Sequence, residues 1–70
     1  MSTGKVLEAH EERVVLEQSE LNEKLQKLGV FIRGEIFKTL SEHEQGRLNL
    51  QYHFMTGYNE VLIQRIRHFS

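Results

Sequence analysis

The chain has no cysteine, no proline and no tryptophan among its 70 residues. Without cysteine it can form no disulfide and perform no thiolate chemistry, so nothing in it requires an oxidising compartment. Without proline, the commonest helix-breaking residue is missing, which favours long uninterrupted helices. The five glycines are scattered, so they form no phosphate-binding loop.

Neither sign of charge is in large excess. Nine Lys plus Arg stand against ten Asp plus Glu, for a formal net charge of −1. This balance gives the molecule no overall field that would attract DNA or anionic lipid. Residues 1–6 contain no apolar run that could act as a signal peptide or cross a bilayer. We therefore expect a soluble cytoplasmic protein that binds neither DNA nor a membrane.

Two apolar stripes with heptad spacing run through the chain. A residue seven positions further along a helix returns to nearly the same face, so each stripe forms a seam that must pack against something apolar. The stripes consist of Leu7, Val14, Leu21 and Leu28, then of Leu48, Tyr52, Met55, Leu62, Ile66 and Phe69. The pattern predicts an all-α fold in which the chain forms an antiparallel helical hairpin.

Local signals divide the chain into elements. Residues 1–5 are expected to be disordered, and residues 6–70 to form a single helical-hairpin domain. The first helix is predicted from Val6 to Ile32, with Gly34 in the left-handed conformation just past its end. The connector over residues 35–40 is too apolar for a bare loop, so we expect it to fold back and close that end of the hairpin.

The second helix has a capping signal at its start. Ser41 is expected to accept a hydrogen bond from the third helical N–H group, while Glu44 reaches back to the Ser41 N–H group. The helix is predicted to continue to Arg67 or Phe69, where basic side chains suit the negative end of the helix dipole.

Self-association is expected from the size of the chain. A domain of 70 residues rarely obtains more than about 3–5 kcal/mol from its core without a disulfide, a metal or a partner. A helical plot of the second helix gives it a second apolar face, formed by Leu50, Phe54, Gly57 and Val61. Glycine inside a helix costs about 1 kcal/mol relative to alanine. Close approach of another copy would compensate for Gly57, unless this is an exposed glycine that the fold merely tolerates.

Polar residues with sevenfold spacing accompany the apolar stripes. The second helix carries such a line between its two apolar faces, and the first helix carries another beside its stripe. Antiparallel pairing would bring the two lines together along a crevice. The lines consist of Gln51, Tyr58 and Arg65, then of His10, Glu17 and Lys24, with Arg13 and Glu20 further round the first helix.

These polar lines have two interpretations that the pattern leaves open. In the structural one, ion pairs at i,i+4 spacing, Arg13 with Glu17 and Glu20 with Lys24, fix the register of a helical bundle. In the functional one, basic side chains bind phosphate and Tyr58 stacks on a base, which makes the crevice a pocket for an anionic ligand.

Catalytic and metal-binding patterns are poor. The histidines at positions 10, 43, 53 and 68 are not spaced as a metal-ligand pair, and no serine occupies a nucleophile elbow. We therefore expect neither an enzyme nor a metal or cofactor site.

The joint spacing of these residues resembles a widespread family of very short phage and prophage helical proteins, often described only as related to a small crAss-like-phage protein. The similarity covers about residues 10–69. The positions that carry it are His10, Arg13-Val14, Glu17, Glu20-Leu21, Lys24, Lys27-Leu28, Phe31-Ile32, Phe37, Leu40, Leu48, Gln51, Met55, Tyr58, Val61-Leu62 and Arg65-Ile66. The chain departs from the family pattern at Gly29, Gly46 and Gly57, and it has Gly34-Glu35-Ile36 where a connector with proline is expected.

The resemblance implies a phage anti-defence protein of the nucleotide-sponge type. Such proteins are helical oligomers, tetramers among them, that sequester the cyclic nucleotide signals of CBASS-type immunity without cleaving them; relatives are thought to select signals of Pycsar, Thoeris or CRISPR systems. It implies a homo-oligomer in the cytoplasm of an infected bacterium, with a nucleotide such as a cyclic dinucleotide as its partner. The implied ligand residues are His10, Arg13, Glu17, Glu20, Lys24, Gln51, Tyr58 and Arg65.

Two other functions remain open. A protein-binding inhibitor would use the face formed by Leu50, Phe54 and Val61 to dock on a host defence or regulatory protein. A structural helical bundle would bind no ligand, and its Arg13, Glu17 and Arg65 side chains would form only ion pairs.

Overall fold

A computed structural model describes residues 7–69. The helices in this range are α1 (Ala9–Ile32), α2 (Glu35–Lys38) and α3 (Glu42–Arg67), and residues 7–69 contain no strand. The predicted all-α class is therefore confirmed. The predicted disorder of residues 1–5 lies outside the described residues. The predicted helix start at Val6 is wrong, because Leu7 and Glu8 are not helical and α1 begins at Ala9 after the extended N-cap Glu8.

The start of α1 is fixed by two glutamates. The backbone N–H of Glu8, the N-cap residue, donates to Oε1 of Glu11 at 2.9 Å. Glu11 is only 8% exposed, and its carboxylate lies in the first turn, where the helix dipole favours negative charge. Ala9 can therefore begin the helix although no Ser, Thr, Asp or Asn precedes it.

The end of α1 corrects one prediction. Gly34 is not left-handed: its φ of −90° and ψ of 176° make it the extended N-cap of α2. The helix closes instead through Arg33, whose N–H donates to the Gly29 carbonyl at 3.2 Å, and through the Gly34 N–H, which donates to the Phe31 carbonyl at 3.0 Å. Because these bonds satisfy the last carbonyl groups, the turn needs no residue with positive φ.

The connector folds back over the end of the helices, as its apolar composition predicts. Phe37 of α2 is 9% exposed and meets the ring of Phe31 edge to face, with the ring centroids 6.5 Å apart. From α3, the Gln45 side-chain amide donates to the carbonyls of Leu40 at 2.9 Å and Phe37 at 3.1 Å. One side chain of α3 thus ties the connector to the start of that helix.

The cap of α3 is half of the predicted capping box. Ser41 Oγ accepts from the Glu44 N–H at 3.1 Å, as expected. The Glu44 carboxylate, however, pairs with Arg47 Nη2 at 2.9 Å instead of reaching back to the Ser41 N–H. A charge-assisted bond to a guanidinium one turn away outcompetes a bond to a neutral backbone donor.

Replacing Ser41 by alanine is expected to lower the free energy of unfolding by about 1 kcal/mol, because the Glu44 N–H would lose its acceptor. Urea denaturation followed by circular dichroism measures the change. Ser19→Ala is the matched control, since Ser19 is exposed in the interior of α1, where alanine favours the helix. Equal destabilisation by both substitutions would contradict the capping role of Ser41.

The helices α1 and α3 pack side by side in opposite directions, since Gln18 meets Asn59 whereas Gly29 meets Tyr52. The contact buries Val14 and Leu25 from α1 and Leu62 from α3, and Leu62 has no exposed surface. Other members of the two predicted stripes are partly buried along the same contact: Leu21, Leu28, Leu48, Tyr52, Met55 and Ile66. The apolar stripes of the sequence therefore form the seam between the helices.

A pair of amides interrupts this apolar seam. The Gln18 Nε2 donates to Asn59 Oδ1 at 3.0 Å, and Asn59 is only 8% exposed. A polar pair at central seam positions favours one register, because sliding the helices by a turn would leave each amide facing apolar side chains.

Candidate functional site

The predicted ligand residues all lie at the surface of α1 and α3. Each of them is exposed, and Tyr58 retains 45% of its accessible area. They are His10, Arg13, Glu17, Glu20, Lys24, Gln51, Tyr58 and Arg65. On α3, about 100° of rotation per residue keeps Gln51, Tyr58 and Arg65 within about 40° of each other. The sequence thus placed these three side chains on one side of one helix.

Both polar lines lie on the same flank of the helix pair, which we call the polar flank. On α1, His10, Glu17 and Lys24 lie on one side of the seam, whereas Arg33 lies on the other. On α3, Tyr58 lies on one side of the seam, whereas Tyr52 lies at its opposite edge. Because Arg33 and Tyr52 line one groove, they mark the opposite flank, and the two polar lines share the remaining one.

The ion pairs expected on the polar flank are absent from the described part of the chain. Within residues 7–69, ion pairs join Lys38 to Glu35 and Arg47 to Glu44, but not Arg13 to Glu17 or Glu20 to Lys24. Nor does Arg65 have a carboxylate within 4.0 Å in that range. Ion pairs of the polar flank therefore do not fix the register of α1 against α3. The apolar seam and the Gln18–Asn59 pair fix this register instead.

An apolar surface borders the polar flank on α3. This outer face consists of Leu50, Phe54, Gly57 and Val61, whose spacing of four, three and four residues repeats that of the packed seam. Phe54 is 65% exposed, and Leu50 and Val61 are each more than half exposed. A Cβ atom added at Gly57 would meet nothing within 4 Å. The close approach expected at Gly57 is therefore not made within the single chain.

A groove of about 290 Å³ opens on the opposite flank, near the end of the molecule that α2 closes. Its lining residues are Leu25, Gln26, Gly29, Val30, Arg33 and Tyr52. A Cβ atom at Gly29 would stand 3.2 Å from Tyr52 Cε1 and 3.3 Å from Arg33 Nη1. Sequence reasoning missed this groove, because the contact between Gly29 and Tyr52 depends on how the two helices pack against each other.

Two further features were sought in residues 7–69, a metal site and a membrane-spanning helix. Among residues 7–69, no three His, Asp or Glu side chains are grouped so that they could hold a metal ion. None of the helices there is long and apolar enough to span a bilayer.

Comparison with known proteins identifies the family. No curated protein and no solved structure matches the chain. A family model described as Sequestin matches residues 8–68, which include all three described helices, both flanks and the outer face of α3. The chain therefore belongs to the Sequestin family.

Proposed function

We propose that this protein binds a small nucleotide signal and holds it without cleaving it. The family name is that of a sequestering protein, and the family match extends over residues 8–68. The observation that carries the proposal is the polar flank, which combines the exposed ring of Tyr58 with Arg13, Lys24 and Arg65, three cations that have no carboxylate partner among the described residues. Unpaired cations beside an aromatic ring suit a phosphate joined to a base.

The spacing along α3 suits a nucleotide. Seven residues of helix advance by about 10.5 Å, so Arg65 and Gln51 lie about that far from Tyr58, one on each side. Arg65 would take a phosphate with two N–H groups, Tyr58 would stack on a base, and Gln51 would contact the polar edge of that base. From α1, Lys24 and Arg13 would add positive charge, while Glu17 and His10 would contact ribose or base hydrogen-bonding groups.

The sites would lie between copies of the chain. Pairing through the outer face of α3 would bury Phe54 and bring another helix close to Gly57, while Tyr58 and Arg65 would stay at the edge of the interface. A two-fold axis would present each of these residues twice, which suits a cyclic dinucleotide with two phosphates and two bases. We propose a homo-oligomer, a tetramer built as a dimer of dimers.

Sequestration requires mass action and no catalytic residue. The free signal falls when the sites are as numerous as the signal molecules and the Kd lies below the concentration that activates the receptor. The biological setting that we propose is a phage protein in the cytoplasm of an infected bacterium, acting against CBASS-type or related nucleotide signalling.

A ligand panel tests the proposal. The melting temperature of the protein is measured with cyclic di- and trinucleotides, cyclic mononucleotides and ADP-ribose derivatives. A ligand present at 100 times its Kd stabilises the folded state by about 2.7 kcal/mol, which raises the Tm of a domain of this size by about 10 °C or more. A rise of this size with one ligand class is expected. No rise with any member of the panel would contradict the proposal.

A second candidate function is favoured by the exposure of Leu50, Phe54 and Val61. These side chains are each more than half exposed and form one apolar face, which could dock on a host protein instead of on a second copy. In that case the panel would give no rise in Tm, and a change on the outer face would abolish inhibition of the target without changing the mass of the free protein.

A further inference from the structure

We infer that the groove at Gly29 is a second binding site, which takes the phosphate and nucleoside of a mononucleotide-sized unit. The groove lies on the opposite flank from Tyr58 and Arg65, so it does not belong to the site proposed above. The choice of a nucleotide rests on the proposed function, whereas the choice of a phosphate ester rests on the side chains that line the groove.

Two hydrogen-bond donors converge over Gly29. The point where its Cβ would stand is 3.3 Å from Arg33 Nη1 and 3.5 Å from Tyr52 Oη. The two atoms are thus close enough for different oxygens of one phosphate group to accept from both. Arg33 has no carboxylate within 4.0 Å in the described range, so its guanidinium is available to an anion.

Gly29 lets Tyr52 and Arg33 approach α1 closely at this point. It lies inside α1 and is buried, and glycine at an internal helix position costs about 1 kcal/mol relative to alanine. An alanine Cβ would stand only 3.2 Å from Tyr52 Cε1 and 3.3 Å from Arg33 Nη1, so the ring and the guanidinium would have to move apart. The glycine thus sets the positions of both donors. Gly46, in contrast, faces open space and serves as its control.

The rest of the groove suits a nucleoside. Leu25 and Val30 provide an apolar wall, and Val30 is 64% exposed. Gln26 adds a carboxamide that can both donate to and accept from the edge of a base. The volume of about 290 Å³ lies just below the range of small-molecule sites, which runs from about 300 to 1,000 Å³. The groove therefore fits one nucleotide unit and not a whole cyclic dinucleotide.

Titration with adenosine 5′-monophosphate tests the inference, with inorganic phosphate and adenosine as fragment probes. Binding is followed by ¹H–¹⁵N NMR of the full chain. The expected result is a shift of the Gly29, Arg33 and Tyr52 amides that saturates with adenosine monophosphate and is weaker with either fragment. Arg33→Gln is expected to weaken binding at least tenfold, and Tyr52→Phe, which keeps the ring but removes the hydroxyl, to weaken it severalfold.

Matched variants separate this site from general effects of charge and helix stability. Arg67→Gln removes one exposed charge and Gly46→Ala replaces an open helical glycine, so both are expected to bind adenosine monophosphate as the unaltered chain does. Gly29→Ala is expected to weaken binding. Unchanged binding in both Arg33→Gln and Tyr52→Phe would overturn the inference, and so would the absence of saturable shifts around Gly29.

The failure of this inference can be told from the failure of the proposed function. Binding that is lost in Arg65→Gln but retained in Arg33→Gln would overturn the groove site and support the polar flank. Binding that is lost in Arg33→Gln but retained in Arg65→Gln would support the groove, whatever the ligand panel shows for the polar flank.

Discussion

Phe54→Arg is expected to break the proposed pairing through the outer face of α3 and so to lower the mass of the assembly, whereas Ile36→Arg is expected to leave the assembly intact. Both side chains are 65% exposed in the single chain, so the two substitutions have similar effects on an isolated protomer. Only Phe54 belongs to the outer face of α3. In a two-fold interface the change removes two buried aromatic rings and places two like charges close together.

The size of this effect follows from the energetics of aromatic interface residues. Truncation of a central aromatic side chain commonly costs 2 kcal/mol or more, which weakens association at least about 30-fold. Sedimentation velocity over a concentration series measures the change for both variants beside the unaltered chain. An unaltered chain that sediments as a monomer throughout the series would contradict the proposed interface, as would equal dissociation of both variants.

Arg65→Gln is expected to lower the affinity for the signal nucleotide by about 10- to 100-fold, because a hydrogen bond to a charged group contributes about 1.5–3 kcal/mol. The Tm of the ligand-free protein should stay the same, since Arg65 has no ion pair among the described residues. Titration calorimetry with the panel nucleotide that raises the Tm most measures the affinity.

Arg67→Gln is the control for Arg65→Gln, since it removes the same charge from an exposed position two residues further on, about 200° round the helix and so away from the polar flank. Its affinity for the nucleotide is expected to stay within about twofold of the unaltered protein, as for a distant charge screened by salt. If Arg65→Gln lowered the Tm of the ligand-free protein by several degrees and left the affinity unchanged, Arg65 would be a structural residue and the polar flank would not be the ligand site.

The seam between α1 and α3 could be predicted from the sequence only in part. Sevenfold spacing of apolar residues located Val14 and Leu62, but it passed over Gln18 and Asn59, which occupy equivalent positions of the same seam. Polar residues at such positions break the apolar pattern, although their side-chain amides satisfy each other inside the contact. Leu25 was missed for the same reason, because it continues the line that Gln18 begins.

Caps that depend on neighbouring residues could be predicted from the sequence, whereas conformations that depend on more distant contacts could not. The Ser41 cap was predictable because it depends on one side chain and one N–H group three residues away. Gly34 was assigned the wrong conformation because its φ angle depends on how α2 leaves the end of α1, which is a tertiary contact. The second half of the predicted capping box failed because Arg47 competes for the Glu44 carboxylate.

The two candidate sites also differ in how far they could be predicted from the sequence. The polar line on α3 needs only the helical repeat, so the sequence located Gln51, Tyr58 and Arg65 on one side. The groove on the opposite flank depends on contacts of a few ångströms between Gly29 and Tyr52, which face each other across the two helices. No spacing rule within one helix reveals such a contact.

The most direct test of sequestration is recovery of the bound nucleotide. The protein is incubated for hours with a modest molar excess of the nucleotide that raises the Tm most, separated from free ligand, and heated to release what it holds. Chromatography then measures the amount and identity of the released compound. We expect the unchanged nucleotide in a fixed ratio to the protein, with no loss over time. A cleaved product that accumulates with time, or a protein that retains no nucleotide, would contradict the account.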